Sequence, residues 1–101
     1  MPEKPETRFK RKIRPQLERL PFSWWVKVQQ VAIAGTPDFL GCIRGKFVAI
    51  ELKVGSGKLS KLQTYNLDRI FSARGLALVA TPENWPKIYD SLKLLSEGKW
   101  E

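Results

Sequence analysis

The stretch GTPDFLGCIRGKFVAIELK, residues 35–53, most constrains the fold, because it holds two apolar runs joined by a short turn. Arg44 and Gly45 lie at its centre, and glycine accepts the positive φ that a tight hairpin turn needs. In a hairpin centred on this pair, Leu40 faces Ala49 and Cys42 faces Phe47. The sequence therefore predicts two antiparallel strands in a defined register.

That register brings two carboxylates together. One further step places Asp38 opposite Glu51, with Cβ atoms about 4.5–5.5 Å apart on one face, and Lys53 projects from the same face. Like charges repel strongly beside an apolar strand, so such a pair requires a cation between its members or a proton on one of them. The alternative is a solvated strand end at which Lys53 merely neutralises Glu51. A bulge in the turn would also break the register.

The rest of the chain predicts further elements by periodicity and turn signals. Residues 4–20 are predicted as a helix whose apolar stripe is Phe9, Ile13, Leu17 and Leu20. Four more elements are predicted after it: a strand at 23–31, a helix at 60–74 that Gly75 ends, a buried strand at 76–80 and a helix at 82–95. The last helix carries Trp85, Ile88, Tyr89, Leu92 and Leu95 on one side. We therefore expect a single α/β domain, residues 1–101, with the order α-β-β-β-α-β-α.

The residue types present exclude several kinds of chemistry. The chain has no histidine and one cysteine, Cys42, which rules out histidine-assisted nucleophiles and zinc sites built on these residues. A metal would sit on oxygen ligands, as magnesium and manganese do. A lone cysteine forms no internal disulfide and favours a reducing compartment. Because no long apolar run occurs, we expect neither a membrane span nor a secretory signal.

The charge distribution indicates an anionic partner. The formal net charge is +8, and residues 1–27 hold eight basic and three acidic residues. A basic protein of this size is a candidate for nucleic acid, although a solubilising helix face has the same composition. Both interpretations stay open from charge alone.

Glu6 and Gln63 each have two interpretations. On a helical wheel Glu6 falls between Ile13 and Leu17, so its side chain should point inward, whereas Glu18 should face water. The alternative is that Glu6 is a first-turn carboxylate stabilised by the helix dipole. Residues 60–63 fit a capping box in which Gln63 reaches back to the N-cap backbone, and a role in a catalytic site is the other reading.

The chain contains Pro37-Asp38, then Glu51-Leu52-Lys53 thirteen residues later, and then Gln63 at the start of a predicted helix. This pattern resembles the PD-(D/E)xK nuclease superfamily. More narrowly, GTPDFLGCIRGKFVAIELK with GKLSKLQ is similar to the virus-type replication-repair nuclease (VRR-NUC) domain, in its small stand-alone phage or bacterial form. The resemblance extends over residues 6–85.

The resemblance implies a restriction-endonuclease-like core, with a mixed central sheet flanked by helices, and Mg²⁺-dependent phosphodiester hydrolysis in which Mn²⁺ substitutes. It implies that Asp38 and Glu51 are metal ligands, with the Leu52 backbone carbonyl as a third. Lys53 would orient the attacking water and offset charge on the phosphate. Gln63 would support Lys53 or the water, and Glu6 would complete the site, directly or through a water.

The resemblance also implies the partners. Small domains of this type look like homodimers that cut branched DNA, so the expectation is a Holliday-junction resolvase in DNA repair or recombination, in the cytosol of a bacterium or a phage-infected host. No membrane and no small-molecule cofactor is expected. Phosphate contacts would come from Arg8, Lys10, Arg11, Lys12, Arg14, Lys58 and Lys61.

Other functions remain open. A non-specific or restriction-type endonuclease is one alternative, and a catalytically silent DNA-binding module of the same fold is another. Trp24 and Trp25 are adjacent in a predicted strand and should point to opposite faces, one toward the core and the other toward a dimer surface.

Overall fold

The computed structural model describes residues 3–29 and 33–99 of the chain. The elements are α1 (Pro5–Glu18), β1 (Ser23–Lys27), β2 (Phe39–Ile43), β3 (Lys46–Leu52), α2 (Lys61–Ser72), β4 (Leu76–Ala80) and α3 (Trp85–Ser96). The strands form one mixed sheet in the order β1-β2-β3-β4. The predicted α/β class and element order are therefore confirmed.

The β2–β3 hairpin has the predicted register. Leu40 pairs with Ala49 and Cys42 with Phe47. Arg44 and Gly45 form the turn with φ of 48° and 83°, so both residues are left-handed. A two-residue turn of this kind matches the natural twist of the flanking strands. The carboxylates at the far end of the hairpin are placed by this turn.

Strand β3 is the centre of the sheet, because β2 pairs with it antiparallel and β4 pairs with it in parallel. Its residues from Val48 to Leu52 are all buried. Ile50 and Leu52 pack in the main core, which α1 and α3 cover. Side chains alternate along a strand, so Glu51 lies on the opposite face, where it contacts α2.

Two hydrogen bonds to Gln16 join helices α1 and α3. The Trp85 indole donates to Gln16 Oε1 (2.9 Å), and the Tyr89 hydroxyl donates to the Gln16 carbonyl (3.1 Å). The apolar stripe predicted for α1 is buried as expected. The predicted stripe of α3 also packs on the core. This docking sets where the first turns of α1 lie relative to the end of the sheet.

Some predicted boundaries were wrong. The strand expected at 23–31 ends at Lys27, because its partner β2 begins at Phe39, which pairs with Lys27. One more backbone hydrogen bond follows, from the Val28 N–H to the Asp38 carbonyl (2.8 Å), and positions 30 and 31 lie outside the described residues. Strand β4 is only half-buried rather than buried, since it lies at the edge of the sheet.

The C-terminal end of α2 also differs from the prediction. Arg74, not Gly75, takes the left-handed conformation, with φ of 73°. The Gly75 N–H donates to the Ile70 carbonyl (2.9 Å), as in a Schellman motif. Gly75 is required for space, since a Cβ there would lie 2.7 Å from Ile70 Cγ2.

The tryptophan pair divides between the two faces of β1 as expected. Trp25 packs against the core and covers Gly41, where a Cβ would lie 2.3 Å from Trp25 Cε3. Trp24 is 68% exposed. None of the helices in the described part of the chain has the length and apolarity needed to cross a bilayer.

Candidate active site at the end of the hairpin

Asp38 lies where the register predicted, one residue before β2 begins. The first ladder pair is Phe39 with Ile50, so Asp38 is opposite Glu51 one step beyond it. Asp38 Oδ2 accepts a hydrogen bond from the Leu52 N–H (2.8 Å), and Oδ1 lies 3.0 Å from Lys10 Nζ. The backbone amide and the ammonium together fix the orientation of this carboxylate.

Glu51 is a carboxylate in an apolar strand, and only 3% of the residue is exposed. Its Oε2 accepts from Gln63 Nε2 (3.1 Å) and lies 3.5 Å from Lys53 Nζ. The pKa of Glu51 is raised from 4.5 to about 7, chiefly by burial and then by the charge of Asp38, while the charge of Lys53 acts in the opposite direction. The fold thus holds an acid where its ionised form is disfavoured.

Gln63 forms the predicted capping box and also contacts the buried carboxylate of Glu51. Its Oε1 accepts from the Ser60 N–H (2.9 Å), and the Ser60 hydroxyl accepts from the Gln63 N–H (3.1 Å), which together form the capping box. The Nε2 of the same amide donates to Glu51. The start of α2 therefore places a hydrogen-bond donor on the buried carboxylate.

The glycine of the GTPD segment has a specific steric role. Gly35 has φ of 80°, and a Cβ there would lie 2.6 Å from Leu62 Cγ on α2. The loop before β2 therefore packs directly on the first turn of α2, with Pro37 buried behind it. This contact keeps Asp38 and Gln63 on the same site.

A cleft of ≈ 220 Å³ opens at this end of the sheet, and its lining includes Glu6, Lys10, Asp38, Glu51 and Gln63. Glu6 is half-buried there, so the predicted inward orientation is confirmed, and Glu18 is exposed as expected.

Whether the residues present fit a divalent cation depends on the donor set. Within residues 3–29 and 33–99, no three acidic or cysteine side chains are grouped closely enough to hold a metal ion directly. Glu6 lines the same cleft as Asp38 and Glu51. Magnesium usually keeps several waters and binds through one or two carboxylates plus substrate phosphates. A facing pair of carboxylates, one of them desolvated, fits that pattern. The Leu52 backbone adjoins the pair through its N–H.

Of the seven basic residues predicted to contact phosphates, six are exposed: Arg8, Arg11, Lys12, Arg14, Lys58 and Lys61. Arg11 pairs with Glu3 (2.6 Å) and Arg14 with Glu18 (3.8 Å). Lys10 departs from the prediction of a surface contact, because its side chain is turned into the acidic cleft.

A second cleft, of ≈ 380 Å³, shares Lys10 with the first and is also lined by Arg11, Arg14 and Lys27. Sequence reasoning missed Lys27 and the inward position of Lys10. The signal available for Lys10 was its place one turn after Glu6, on the same side of the helix.

The fold and the site together define a mixed α/β protein in which two carboxylates, a lysine and a glutamine lie at one end of the central strand. Comparisons with known protein families, with curated proteins and with solved structures found no match.

Proposed function

We propose that this protein is a metal-dependent DNA endonuclease of the PD-(D/E)xK type, with a restriction-endonuclease-like arrangement similar to VRR-NUC domains. The observation that carries the proposal is the facing pair of Asp38 and buried Glu51, with the Lys53 ammonium 3.5 Å from Glu51. A repulsive pair in this position is explained by a function that needs two carboxylates on one cation.

The chain's own residues have distinct roles in this reaction. Asp38 and Glu51 would hold Mg²⁺ or Mn²⁺, and the Leu52 carbonyl is the third proposed ligand. A divalent ion there supplies an activated water and neutralises charge on the phosphate. Lys53 would orient the attacking water and add preorganised positive charge for the transition state. Gln63 fixes the Glu51 carboxylate through its 3.1 Å hydrogen bond.

The proposed substrate is branched DNA, cut by a homodimer that acts as a Holliday-junction resolvase. Two sites related by a two-fold axis match the symmetry of a four-way junction. The exposed basic residues of α1 and the second cleft beside the acids would bind phosphates without reading bases. Trp24, exposed on edge strand β1, is the proposed dimer contact.

A cleavage assay tests the proposal directly. Labelled four-way junction, flap, linear duplex and single strand are incubated with Mg²⁺, Mn²⁺ or EDTA, using wild type and Lys53→Ala. We expect metal-dependent paired cuts in the junction that disappear in Lys53→Ala. The matched control is Lys46→Ala, at the other end of β3, where the side chain donates only to the Arg74 carbonyl. Equal cutting of all substrates would instead indicate a non-specific endonuclease.

A catalytically silent DNA-binding module is the second candidate, and the Lys10–Asp38 ion pair favours it. When both carboxylates are ionised, Lys10 and Lys53 already balance them, so the cluster then needs no ion for neutrality. Binding of the junction with no cutting in either metal would establish this alternative and contradict the nuclease proposal.

A further inference from the structure

We infer that Lys10 is a built-in competitor of the divalent ion: its ammonium occupies the cation position on Asp38 in the metal-free protein, and the ion must displace it. This inference rests on the proposed metal-dependent function. It assigns Lys10 a role in setting how much metal the site requires, rather than a contact to DNA along the helix surface.

The position of Lys10 sets it apart from the other basic residues at 8–14. The other four are exposed, whereas only 22% of the Lys10 side chain is accessible and its Nζ lies 3.0 Å from Asp38 Oδ1. Phe9 and Ile13, which are buried on the same helix, anchor the backbone around it. Its orientation is thus imposed by the docking of α1.

The two carboxylate oxygens of Asp38 contact different groups. Oδ2 is held by the Leu52 N–H, which belongs to the rigid central strand. Oδ1 is the oxygen that Lys10 contacts. An ion that binds Asp38 from the cleft therefore meets the ammonium on Oδ1. A lysine can leave this position readily, because it is a point charge on a flexible four-carbon stem with no bidentate geometry to lose.

Charge balance explains why Lys10 is the group that leaves. When Asp38 and Glu51 are both ionised, the ammoniums of Lys10 and Lys53 match their charges, so an added divalent ion would leave two excess positive charges in the cleft. Lys53 pairs with the more deeply buried carboxylate, whose charge has little access to water. Lys10 pairs with the more exposed carboxylate, since 14% of the Asp38 side chain is accessible against 4% of Glu51, so water screens the charge of Asp38 better when its lysine leaves. Displacement of Lys10 therefore costs less than displacement of Lys53.

The experiment measures metal affinity without catalysis. Free and bound Mn²⁺ are quantified by electron paramagnetic resonance in the absence of DNA for wild type, Lys10→Met, Lys10→Arg and Lys12→Met. Methionine keeps most of the apolar stem and removes the charge. We expect Lys10→Met to bind Mn²⁺ about tenfold or more tightly than wild type, since a competing charge within a few ångströms is lost. Lys10→Arg keeps the charge and should stay near or below wild-type affinity.

Lys12→Met is the matched control, because Lys12 is an exposed residue on the same helix. Its loss should change the affinity by no more than about twofold, as expected for a screened surface charge. In the cleavage assay Lys10→Met should reach half-maximal rate at a correspondingly lower Mg²⁺ concentration. If Lys10 only supported the shape of the site, its replacement by methionine would weaken Mn²⁺ binding or leave it unchanged.

The possible failures are distinguishable. If wild type binds Mn²⁺ and cuts DNA but Lys10→Met binds no more tightly, the competition is refuted and the nuclease proposal stands. If neither protein binds Mn²⁺ and wild type does not cut, both are refuted. Thermal unfolding of each variant confirms that affinities are compared between folded proteins.

Discussion

Replacing Glu51 with glutamine should make the protein more stable at neutral and alkaline pH. Glutamine mimics the protonated acid and can retain the hydrogen bond with Gln63, but it avoids the cost of burying a charge. The pKa of Glu51 rises from 4.5 to about 7 because burial, and then the charge of Asp38, disfavour ionisation. Since one pKa unit corresponds to about 1.4 kcal/mol, the ionised form costs the fold about 3 kcal/mol.

The sign of the pH dependence follows from proton binding. Between pH 4.5 and about 7 the folded protein holds the Glu51 proton that the unfolded chain has released. Stability then falls as pH rises, because the unfolded state binds fewer protons. The difference in unfolding free energy between Glu51→Gln and wild type should therefore be small below pH 4.5 and reach a plateau of about 3 kcal/mol near pH 8.

Urea unfolding followed by tryptophan fluorescence, in EDTA and at several pH values, measures this difference. Glu83→Gln is the control: Glu83 is an exposed acid, and its replacement should give a difference near zero at every pH. A Glu51→Gln variant less stable than wild type at pH 8, or a gain independent of pH, would refute the claim that ionisation of a buried carboxylate limits stability. Loss of cleavage in the same variant would show that the destabilising charge is the functional one.

Three further substitutions test the arrangement around the acids. Asp38→Asn should abolish cutting yet keep junction binding in a mobility-shift assay largely intact; a parallel loss of binding would mean that Asp38 is structural. Gln63→Ala removes one of the two capping-box hydrogen bonds of α2, the one from the Ser60 N–H, together with the donor to Glu51, so we expect a loss of about 1–2 kcal/mol in unfolding free energy and slower cleavage. Gly35→Ala should displace the loop from Leu62, because its Cβ would lie 2.6 Å from Leu62 Cγ. Cleavage should therefore drop even where thermal melts show a folded protein, whereas unchanged cleavage would show that the loop tolerates the methyl group.

The parts of the site that the sequence predicts are those encoded over short distances. The Arg44–Gly45 turn sets the register locally, so the facing of Asp38 and Glu51 follows from turn chemistry and the two-residue period of strands. The capping box at Gln63 is equally local. The hydrogen bond from Gln63 to Glu51 was not predictable from the box itself, because it depends on how α2 packs across β3 and β4.

The position of Lys10 shows most clearly which part of the site cannot be predicted from the sequence. Within residues 8–14 only helical phase sets Lys10 apart from its basic neighbours, because it follows Glu6 by one turn. The phase does not reveal which carboxylate Lys10 meets until α1 is docked. That docking depends on Gln16 meeting Trp85 and Tyr89, which are 69 and 73 residues away along the chain. Pairwise contacts at such separations leave no periodic signal in a single sequence.

The energetic cost of the acid pair bears on the choice between a nuclease and a binding module. Domains of this size are stable by about 5–15 kcal/mol, so a penalty near 3 kcal/mol from Glu51 is a considerable share. A protein that only bound DNA would gain nothing from two carboxylates, which repel phosphates, and a neutral residue at position 51 would make it more stable. A protein that binds a divalent ion recovers the penalty, since the ion stabilises the ionised pair and adds binding free energy to the folded state. The presence of a buried Glu51, with Gln63 and Lys53 both directed at its carboxylate, therefore supports the proposed chemistry that uses its charge.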